Sequence, residues 1–260
     1  MQVRHQDRKR YFNEQATTTE KYVIPYVEDL VKLNKDCRIL EVGCGEGGNM
    51  KPFLDRGCQV TGIDISLNQI EKARKFYDEM TMEGELTLLG QDIYKVDLAD
   101  TGTFDLIMLR DVIEHIPNQE KFMEIIGSFL KPDGKIFFGF PPWQMPFGGH
   151  QQMCNSVLSK TPWIHLLPRS LYKGLLRVFH EPKKKIEGLL EHVDTGITIE
   201  RFQRIARDSG FKIAKNTYYL INPNYEAKYG LKPRKQFPFI SIIPIFRNFV
   251  TTCYYCILTK

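Results

Sequence analysis

Short apolar runs alternate with polar stretches of helical spacing from Arg38 to about Pro141. The runs are RILEV, QVTGID, LTLLG, FDLIML and KIFFGF, each short enough to form one buried strand. Between them, NQIEKARKFYDEM and NQEKFMEIIGSFLK place apolar residues three or four positions apart, as a helix with one buried face does. Strands that alternate with helices in this way predict βα units and a parallel sheet.

The regions on either side depart from this alternation. In the lead-in, residues 1–34, the stretch TTEKYVIPYVEDLVKL predicts a helix before the first strand. After Pro142 the alternation stops over residues 143–195, where loop composition is followed by a short basic helix, RSLYKGLLRVF. We interpret 143–195 as an insertion after the fifth strand.

The pattern resumes with a helix opened by Thr198 and closed by Gly210, followed by strands in FKIAKNTYYLI and RNFVTTCYYCILTK. The chain has 260 residues, 42% of them hydrophobic, which is enough for one sizeable core. We therefore expect a single domain over residues 1–260.

Charge is unevenly distributed along the chain. The formal net charge is +5, and residues 160–190 alone carry seven Lys or Arg against two Glu. Such a segment favours an anionic substrate, a membrane surface or nucleic acid, or forms a solvated helix face. Peripheral membrane contact through this basic helix is therefore one prediction.

The six cysteines are spread along the chain, and the N-terminus lacks an apolar segment. This is not the pattern of a secreted disulfide scaffold and predicts a cytoplasmic protein. Cys253 and Cys256 form a CxxC motif, but residues three apart on a strand face opposite sides, so we interpret the pair as structural. Proline and arginine interrupt the apolar C-terminus and leave no run long enough to span a bilayer.

A glycine motif follows the first predicted strand. Gly43-Cys44-Gly45-Glu46-Gly47-Gly48 fits GxGxxG, and Asp64 ends the second strand, a combination that also occurs in dinucleotide-binding folds. Glu41 argues against a diphosphate, because a carboxylate beside the loop repels phosphate and attracts a cation. The sequence predicts a positively charged ligand.

These motifs resemble those of the class I S-adenosylmethionine (SAM) methyltransferases. LEVGCGEGG, GIDIS, GQDI and FDLIMLRDVIEHIPN occur in the family's order and are followed by FLKPDGKIFFGF. The resemblance implies a Rossmann-like α/β fold with a seven-stranded sheet of order 3-2-1-4-5-7-6. It also implies an antiparallel seventh strand, helices on both faces, a helical cap insertion, and SAM as cofactor with S-adenosylhomocysteine as product.

The resemblance also implies roles for particular residues. Backbone groups near Gly43, Cys44 and Gly45 would lie against the methionine part of SAM, with Glu41 supplying charge nearby. Asp64 would accept hydrogen bonds from the ribose hydroxyls, and Ile65 would pack on the adenine. Asp92 and Ile93 would bind the adenine, and the backbone of Arg110 would lie near the methionine end.

A second group of polar residues follows the fourth strand. At helical spacing Asp111, Glu114 and His115 share one face. The segment resembles two family patterns: a histidine that takes a proton from a substrate hydroxyl, and an ExxEH motif that binds a divalent metal, in which Asp111 replaces the first Glu. A structural Glu–His pair is the third interpretation.

His192 is the best further ligand for such a metal, and His150 is the other candidate. We name His115, His192 and Glu114 as catalytic candidates. Asp111, Glu114, His115 and His192 form the metal alternative, although we expect no metal. We interpret three other histidines as surface or packing residues, because no comparable group of polar candidates accompanies them in the sequence: His5, His165 and His180.

The acceptor site is predicted beneath the insertion, with Tyr11, Trp143 and His150 as substrate-binding candidates. The leading hypothesis is methyl transfer to a small molecule, at a hydroxyl of a quinone-like, lipid-linked or saccharide acceptor. An RNA methyltransferase and a non-catalytic SAM-binding protein are the alternatives. The sequence has no obvious RNA-binding domain, so we expect no nucleic-acid partner.

Overall fold

The computed structural model describes residues 7–260, so His5 and the first six residues of the predicted lead-in lie outside the described residues. Eight strands form one sheet of order β3-β2-β1-β4-β5-β8-β6-β7. The strands are β1 (Arg38–Val42), β2 (Gln59–Asp64), β3 (Leu86–Gly90), β4 (Phe104–Arg110), β5 (Leu130–Phe140), β6 (Lys212–Ile221), β7 (Arg234–Lys235) and β8 (Cys253–Thr259).

The predicted strand order is confirmed for the seven longer strands. The first five are parallel to one another, and β8 runs antiparallel to both β5 and β6. The sequence analysis missed β7, a two-residue strand at the outer edge of β6. β6 runs in the same direction as β5, so strands β1 to β6 all end on the same side of the sheet. We call this side, where the carboxyl ends of the six strands lie, the carboxyl edge.

Helices cover both faces of the sheet, as predicted. They are α1 (Arg8–Thr18), α2 (Ile24–Glu28), α3 (Lys51–Leu54), α4 (Leu67–Asp78), α5 (Leu98–Thr101), α6 (Gln119–Ser128), α7 (Arg169–Val178), α8 (Lys183–Thr195), α9 (Ile199–Asp208), α10 (Asn224–Tyr229), α11 (Pro238–Ser241) and α12 (Phe246–Val250). Residues of α1 to α4 bury their apolar side chains on one face, and residues of α6 and α9 on the other. Phe12 and Phe53 are buried on the first face, and Phe122 and Phe202 on the second.

The lead-in helix begins earlier and ends earlier than predicted. Asp7 caps α1 by accepting a hydrogen bond from the Arg10 N–H at 3.0 Å, and α1 and α2 are joined by a π-helical segment, Thr19–Val23. The predicted strand RNFVTTCYYCILTK also begins too early, because its first residues form α12. A tertiary contact supports the second boundary: the buried Asn248 of α12 accepts a hydrogen bond from the Ile199 N–H at 2.8 Å.

The region predicted as an insertion has a small core of its own. Its buried side chains come from α7, α8 and the turns before them, and are Cys154, Leu158, Tyr172, Leu176, Ile186, Leu189 and Leu190. Three short 3-10 turns, Gln151–Met153, Val157–Lys160 and Ile164–Leu166, precede α7. The boundaries 143–195, 1–34 and 1–260 stay a prediction.

Cys253 and Cys256 lie on opposite faces of β8, one in each apolar core, so the structural interpretation of this pair is confirmed. All six cysteines of the chain are buried free thiols. No helix within residues 7–260 is long and apolar enough to cross a membrane.

Candidate active site

The glycine loop after β1 has a backbone that side chains would disturb. Gly43 and Gly45 have φ values of 68° and 55°, in the left-handed region. A Cβ at Gly43 would lie 2.6 Å from Cγ2 of Val112, the second residue after β4. The loop therefore stays close to the end of β4, where the other candidate residues begin.

Two aspartates follow the neighbouring strands. Asp64 accepts hydrogen bonds from the Gly45 N–H at 2.9 Å and the Ser66 N–H at 2.8 Å, so its carboxylate is fixed against the glycine loop. Ile65 is 74% exposed beside it. After β3, Asp92 caps a short turn by accepting from the Tyr94 N–H at 3.1 Å, and Ile93 is buried.

A buried polar network lies beneath the loop. Glu41 accepts a hydrogen bond from Nδ2 of Asn49 at 2.9 Å, and Oδ1 of Asn49 accepts one from Arg110 at 2.7 Å. Arg110 also donates to Oγ1 of Thr19 at 3.0 Å. Burial raises the pKa of Glu41 to about 8, against the hydrogen bond from Asn49 and the charge of Arg110, which lower it. The Arg110 side chain thus serves this network.

Asn49 and Thr19 are members of this network that the sequence analysis missed. Neither has a motif of its own: Asn49 lies just after the glycines, and Thr19 lies thirty positions earlier in the chain. The role of Asn49 becomes clear only in the folded protein, where its side-chain amide bridges the Glu41 carboxylate and the Arg110 guanidinium. Sequence spacing gave no signal for Thr19.

Helix α1 lies directly on the glycine loop. A Cβ at Gly48 would come within 2.5 Å of the Phe12 carbonyl oxygen, so the helix backbone and the loop backbone are in close contact. Tyr11, next along the helix, has its pKa raised by burial and by the charge of Asp111. Asp111, the first residue after β4, is thus close enough to act on the Tyr11 hydroxyl.

Glu46 is a further buried carboxylate in the loop that the sequence analysis did not use. It is 1% exposed and pairs with Arg8 of α1 at 2.9 Å and with Lys72 of α4 at 3.7 Å. The loop is thereby tied to both helices that cover it. We interpret Glu46 as a support of the loop.

Three histidine rings meet near the end of β4. Nδ1 of His115 lies 3.2 Å from Nδ1 of His192, and the rings of His150 and His192 stack with centroids 4.4 Å apart. The three rings offer ligand nitrogens within 4.8 Å of one another. The chain brings them from the turn after β4, the loop after β5 and the end of α8.

Two residues outside the predicted set hold this histidine cluster together. Gln119 of α6 donates from Nε2 to the carbonyl oxygens of Ile113 at 2.9 Å and Thr195 at 2.7 Å. The Thr195 hydroxyl in turn donates to the Glu114 carbonyl oxygen at 2.6 Å. The end of α8 is thus joined to the turn that carries His115, which positions His192.

The histidines are neutral at neutral pH. Burial, together with a smaller contribution from the neighbouring imidazoles, lowers the pKa of His150 to about 3 and that of His192 to about 4. Burial also lowers the pKa of His115, against the charge of Asp111, although 38% of its side-chain surface stays exposed. Neutral imidazoles can accept a proton or bind a metal ion.

Glu114 lies close to the histidine cluster but makes no hydrogen bond to its imidazole nitrogens. Its Oε1 lies 3.9 Å from Nε2 of His115, and within residues 7–260 neither carboxylate oxygen has a hydrogen-bond partner. Burial raises the pKa of Glu114 well above its usual range, and the charge of Asp111 raises it further.

Asp111 does not join the cluster. The predicted helical spacing is wrong, because Asp111 has a φ of 56° and residues Ile113–His115 form a 3-10 turn. Asn224 of α10 lies 3.5 Å from Oδ2 of Asp111. The predicted four-residue metal set is therefore not assembled, and the group that is assembled consists of three histidines.

A group of three imidazole nitrogens is better suited to transition metals than to Mg²⁺. Imidazole nitrogens suit Zn²⁺ and similar transition metals, whereas Mg²⁺ prefers oxygen ligands. The 3.2 Å between Nδ1 of His115 and Nδ1 of His192 fits two nitrogens about 2.0 Å from one Zn²⁺. The group can hold a transition metal if His150 moves closer.

Trp143 lies at the start of the predicted cap. Its ring would be touched at 2.4 Å by a Cβ at Gly196 and makes an edge contact with the His165 ring, centroid to centroid 4.6 Å. His165 is buried and its Nε2 lies 2.8 Å from the Trp143 carbonyl oxygen, which agrees with a packing role, and His180 is exposed. Trp143 therefore supports the cap, with part of its surface left open.

Comparison with known families gives one decisive match. The model of the family described as "Methyltransferase domain" matches residues 12–216, from α1 into β6. The chain belongs to this family. The predicted membership of the class I SAM-dependent methyltransferases is thereby confirmed.

Curated relatives of this methyltransferase domain act on different acceptors. A ubiquinone biosynthesis O-methyltransferase of Coxiella burnetii is 30% identical over 115 residues, 44% of this chain and 47% of the relative. A sterol 4-C-methyltransferase of Caenorhabditis elegans is 30% identical over 111 residues, 43% of this chain and 33% of the relative. Each match spans less than half the length of the relative.

Solved structures share the fold over nearly the whole chain. The magnesium protoporphyrin IX methyltransferase of Synechocystis PCC 6803, crystallised with S-adenosylhomocysteine, gives a TM-score of 0.57 at 16% identity over 95% of this chain and 83% of that one. A cyclopropane synthase of Mycobacterium tuberculosis gives 0.59 at 18% identity over 92% and 83%. At these identities the similarity concerns the fold.

Proposed function

We propose that this methyltransferase domain transfers the methyl group of SAM to a hydroxyl of a small-molecule acceptor. The observation that carries the proposal is the placement, at one edge of the sheet, of the glycine loop with its carboxylates beside a cluster of neutral histidines. The first part fits a cationic nucleoside and the second fits a group that loses a proton.

The residues around the glycine loop would hold SAM. The Asp64 carboxylate, already fixed by two backbone N–H groups, has further lone pairs for the ribose hydroxyls. Asp92 and Ile93 would receive the adenine, with the exposed Ile65 on its other side. Glu41 would favour the cationic methionine part, and the loop backbone at Gly43, Cys44 and Gly45 leaves room for it. The backbone of Arg110 would border the same end.

When bound, SAM supplies a methyl group on a sulfonium, which is a good leaving group. The protein's main task is therefore to align the acceptor oxygen with the methyl group, since alignment lowers much of the barrier. His115 would take the hydroxyl proton, with His192 at 3.2 Å able to share it. The carboxyl group of Glu114, whose Oε1 lies 3.9 Å from Nε2 of His115, would border the imidazole that takes up this proton.

The acceptor would enter between α1 and the cap. Tyr11 lies on the α1 side, and Trp143 and His150 lie on the cap side. The O-methyltransferase relative supports a hydroxyl acceptor, whereas the sterol relative supports transfer to carbon, which would need no hydroxyl base. A cytoplasmic location, a lack of nucleic-acid partners and membrane contact through α7 stay predictions.

The test uses SAM labelled in its methyl group and a panel of phenol, sterol, saccharide and RNA acceptors. We expect label in a hydroxylated small molecule, and mass spectrometry of the product to show an O-methyl group. Asp64→Asn keeps the size of the side chain and should reduce transfer at low SAM at least tenfold. This follows because hydrogen bonds to a charged group contribute about 1.5–3 kcal/mol.

Label in RNA would contradict the proposed acceptor class. A C-methyl product would contradict the hydroxyl. SAM binding without transfer to any member of the panel, or to extracted cellular lipids and metabolites, would favour a non-catalytic binding protein.

A further inference from the structure

Large apolar side chains are exposed along the segment between β6 and β8. We call residues 229–246 the apolar loop. Its eight exposed large side chains are 45–74% accessible and are Tyr229, Leu231, Phe237, Phe239, Ile242, Ile243, Ile245 and Phe246. A concentration of exposed apolar side chains in one segment is typical of a binding site for a protein or a membrane.

The apolar loop is held in place by hydrogen bonds to Glu200 and Gln236, most of them partly buried. Glu200, at the start of α9, accepts hydrogen bonds from the Ile245 N–H at 3.1 Å, from Arg247 at 2.8 Å and from Asn248 at 2.6 Å. Gln236 donates to the Val250 carbonyl oxygen at 2.6 Å. The apolar side chains are therefore presented outward by a fixed backbone.

Backbone strain at Ile245 supports the same view. Its φ of 67° is in the left-handed region, which a β-branched residue rarely adopts and which costs about 1–3 kcal/mol. The Glu200 carboxylate and the Asn248 amide bind the N–H and the carbonyl of Ile245, and so maintain the conformation. The fold thus holds an exposed isoleucine outward at a cost.

We call residues 237–244 of the apolar loop its tip. Few backbone N–H and carbonyl groups of the tip lack a hydrogen-bond partner. The N–H groups of Ile240, Ser241, Ile242 and Ile243 donate to carbonyl oxygens within the tip, and Pro238 and Pro244 have no N–H. A segment that enters the apolar part of a bilayer needs such internal pairing. A sheet-edge partner would instead need open N–H groups.

Charge complements this apolar surface. From Gly230 to Arg247 the sequence contains no acidic residue, and the exposed cations Lys232, Arg234 and Lys235 precede the tip. Basic residues that flank exposed Phe and Ile side chains fit anionic lipid headgroups above acyl chains.

The apolar loop also lies at the carboxyl edge of the sheet. The chain leaves β6 at this edge, and Asn224, just before the loop, lies 3.5 Å from Asp111 at the end of β4. A membrane bound at the loop would therefore face the edge that carries the glycine loop and the histidines.

We propose that the apolar loop docks the protein on an anionic membrane, with Phe239 and Ile242 entering the lipid and Lys232, Arg234 and Lys235 lying at the headgroups. This surface differs from the basic helix α7, on which the sequence analysis places membrane contact, and the two are alternatives that the test separates. Delivery of a lipid-borne acceptor across it rests on the proposed function, but the docking itself does not.

The test is co-sedimentation of the whole chain with vesicles, without SAM or acceptor. We expect binding to vesicles of phosphatidylcholine with 30% phosphatidylglycerol, weaker binding to pure phosphatidylcholine, and a decrease as salt rises. Phe239→Ser with Ile242→Ser should weaken binding at least tenfold. Charge reversal at Lys232, Arg234 and Lys235 should weaken it more than tenfold, since each cation near an anionic surface contributes about a fivefold factor.

Matched variants keep the experiment decisive. Leu171→Ser with Val178→Ser removes comparably exposed apolar side chains from α7, and Lys32→Glu with Lys75→Glu and Lys95→Glu reverses three exposed cations elsewhere. Both should bind vesicles like the unmodified chain. Thermal unfolding should show that all variants fold.

Three results would overturn the proposal. The first is an unmodified chain that ignores both vesicle types. The second is a loss of binding in the α7 variant with none in the loop variant. The third is a dimer in sedimentation velocity that the loop variant abolishes while vesicle binding is absent, because the loop would then bind a second copy of the chain.

Discussion

At the scale of single residues, Glu41 has an unusual position. It is 2% exposed beneath the glycine loop, and its raised pKa of about 8 means that the free protein carries it protonated below neutral pH. A cationic ligand favours the carboxylate, so binding of SAM should release the Glu41 proton. The affinity for SAM then depends on pH.

We expect the SAM dissociation constant to fall about tenfold per pH unit between pH 5.5 and 7, as release of one proton requires. In this range the SAM amino group stays charged, since α-amino groups titrate near 7.7–8.0. Glu41→Gln should flatten this dependence. Calorimetry in buffers of different ionisation enthalpy measures both the affinity and the proton; equal slopes for the two proteins would rule out the role of Glu41.

His115 is the residue on which the proposed chemistry depends. His115→Ala should lower turnover by about 10²–10⁴-fold, the range for loss of a general base. SAM affinity should change less than twofold, because we assign His115 to the acceptor hydroxyl and the residues of the glycine loop to SAM. His180→Ala, at an exposed position, is the control. Turnover that falls on chelation and returns with Zn²⁺ would instead show the cluster to be a metal site.

At this scale the sequence predicts residue types better than their contacts. Asp64 and Glu41 are predictable because they follow strands and flank a glycine motif. The meeting of His150 with His115 and His192 is not, since it depends on how the loop after β5 and the end of α8 fold back over β4. The side chain of Arg110 likewise points to Thr19, which only the folded α1 brings near.

At the scale of elements, the glycine loop and the turn after β4 fit each other closely. Gly43→Ala would place a Cβ 2.6 Å from Val112 and would also be strained at a φ of 68°. We expect a loss of about 1–3 kcal/mol in the free energy of unfolding. Thermal denaturation measures it as a fall in Tm of about 2–4 °C per kcal/mol.

Gly188→Ala is a matched control for this substitution. Gly188 lies within α8, and a Cβ there meets no atom within 4 Å. Alanine is the better helix former by about 1 kcal/mol, so this variant should be as stable as the unmodified chain or more stable. Equal losses in the two variants would show that the contact with Val112 has no special cost.

Elements with regular periodicity are predictable, and those set by tertiary contacts are not. α4, α6 and α9 follow the spacing of their apolar residues, and Thr198 caps α9 by accepting from the Arg201 N–H as expected. α12 does not, because RNFV has the composition of a strand. Its helical turn depends on the binding of Asn248 to the start of α9.

At the scale of the whole molecule, the strand order follows from the family resemblance, and the apolar loop does not. The sequence of this loop contains no sign that its Phe and Ile residues face outward. The outward position of Ile245 depends on Glu200 and Asn248, which bind its backbone N–H and carbonyl group.

The histidine cluster should make the whole fold sensitive to acid. The pKa values of His150 and His192 are about 3 and 4 in the folded protein and about 6.5 in the unfolded chain. Their contribution to stability is thus complete above pH 6.5 and is lost as the pH falls toward 3. His150→Gln should reduce the fall in Tm between pH 6.5 and 4.

The comparison variant for this measurement is His180→Gln, whose profile should match that of the unmodified chain. Carboxylates affect all three proteins equally, so the difference between profiles isolates the cluster. Superimposable curves for His150→Gln and the unmodified chain would contradict the burial of a neutral His150.

The position of β8 has a consequence for biosynthesis. β8 is the last of the eight strands to leave the ribosome, yet its place is between β5 and β6, and its alternate residues complete the apolar layers on both sides of the sheet. Until it arrives, the nascent chain has two unpaired strand edges in the middle of its future sheet. Chaperones that cover such edges should therefore bind this protein during translation and release it only after β8 emerges.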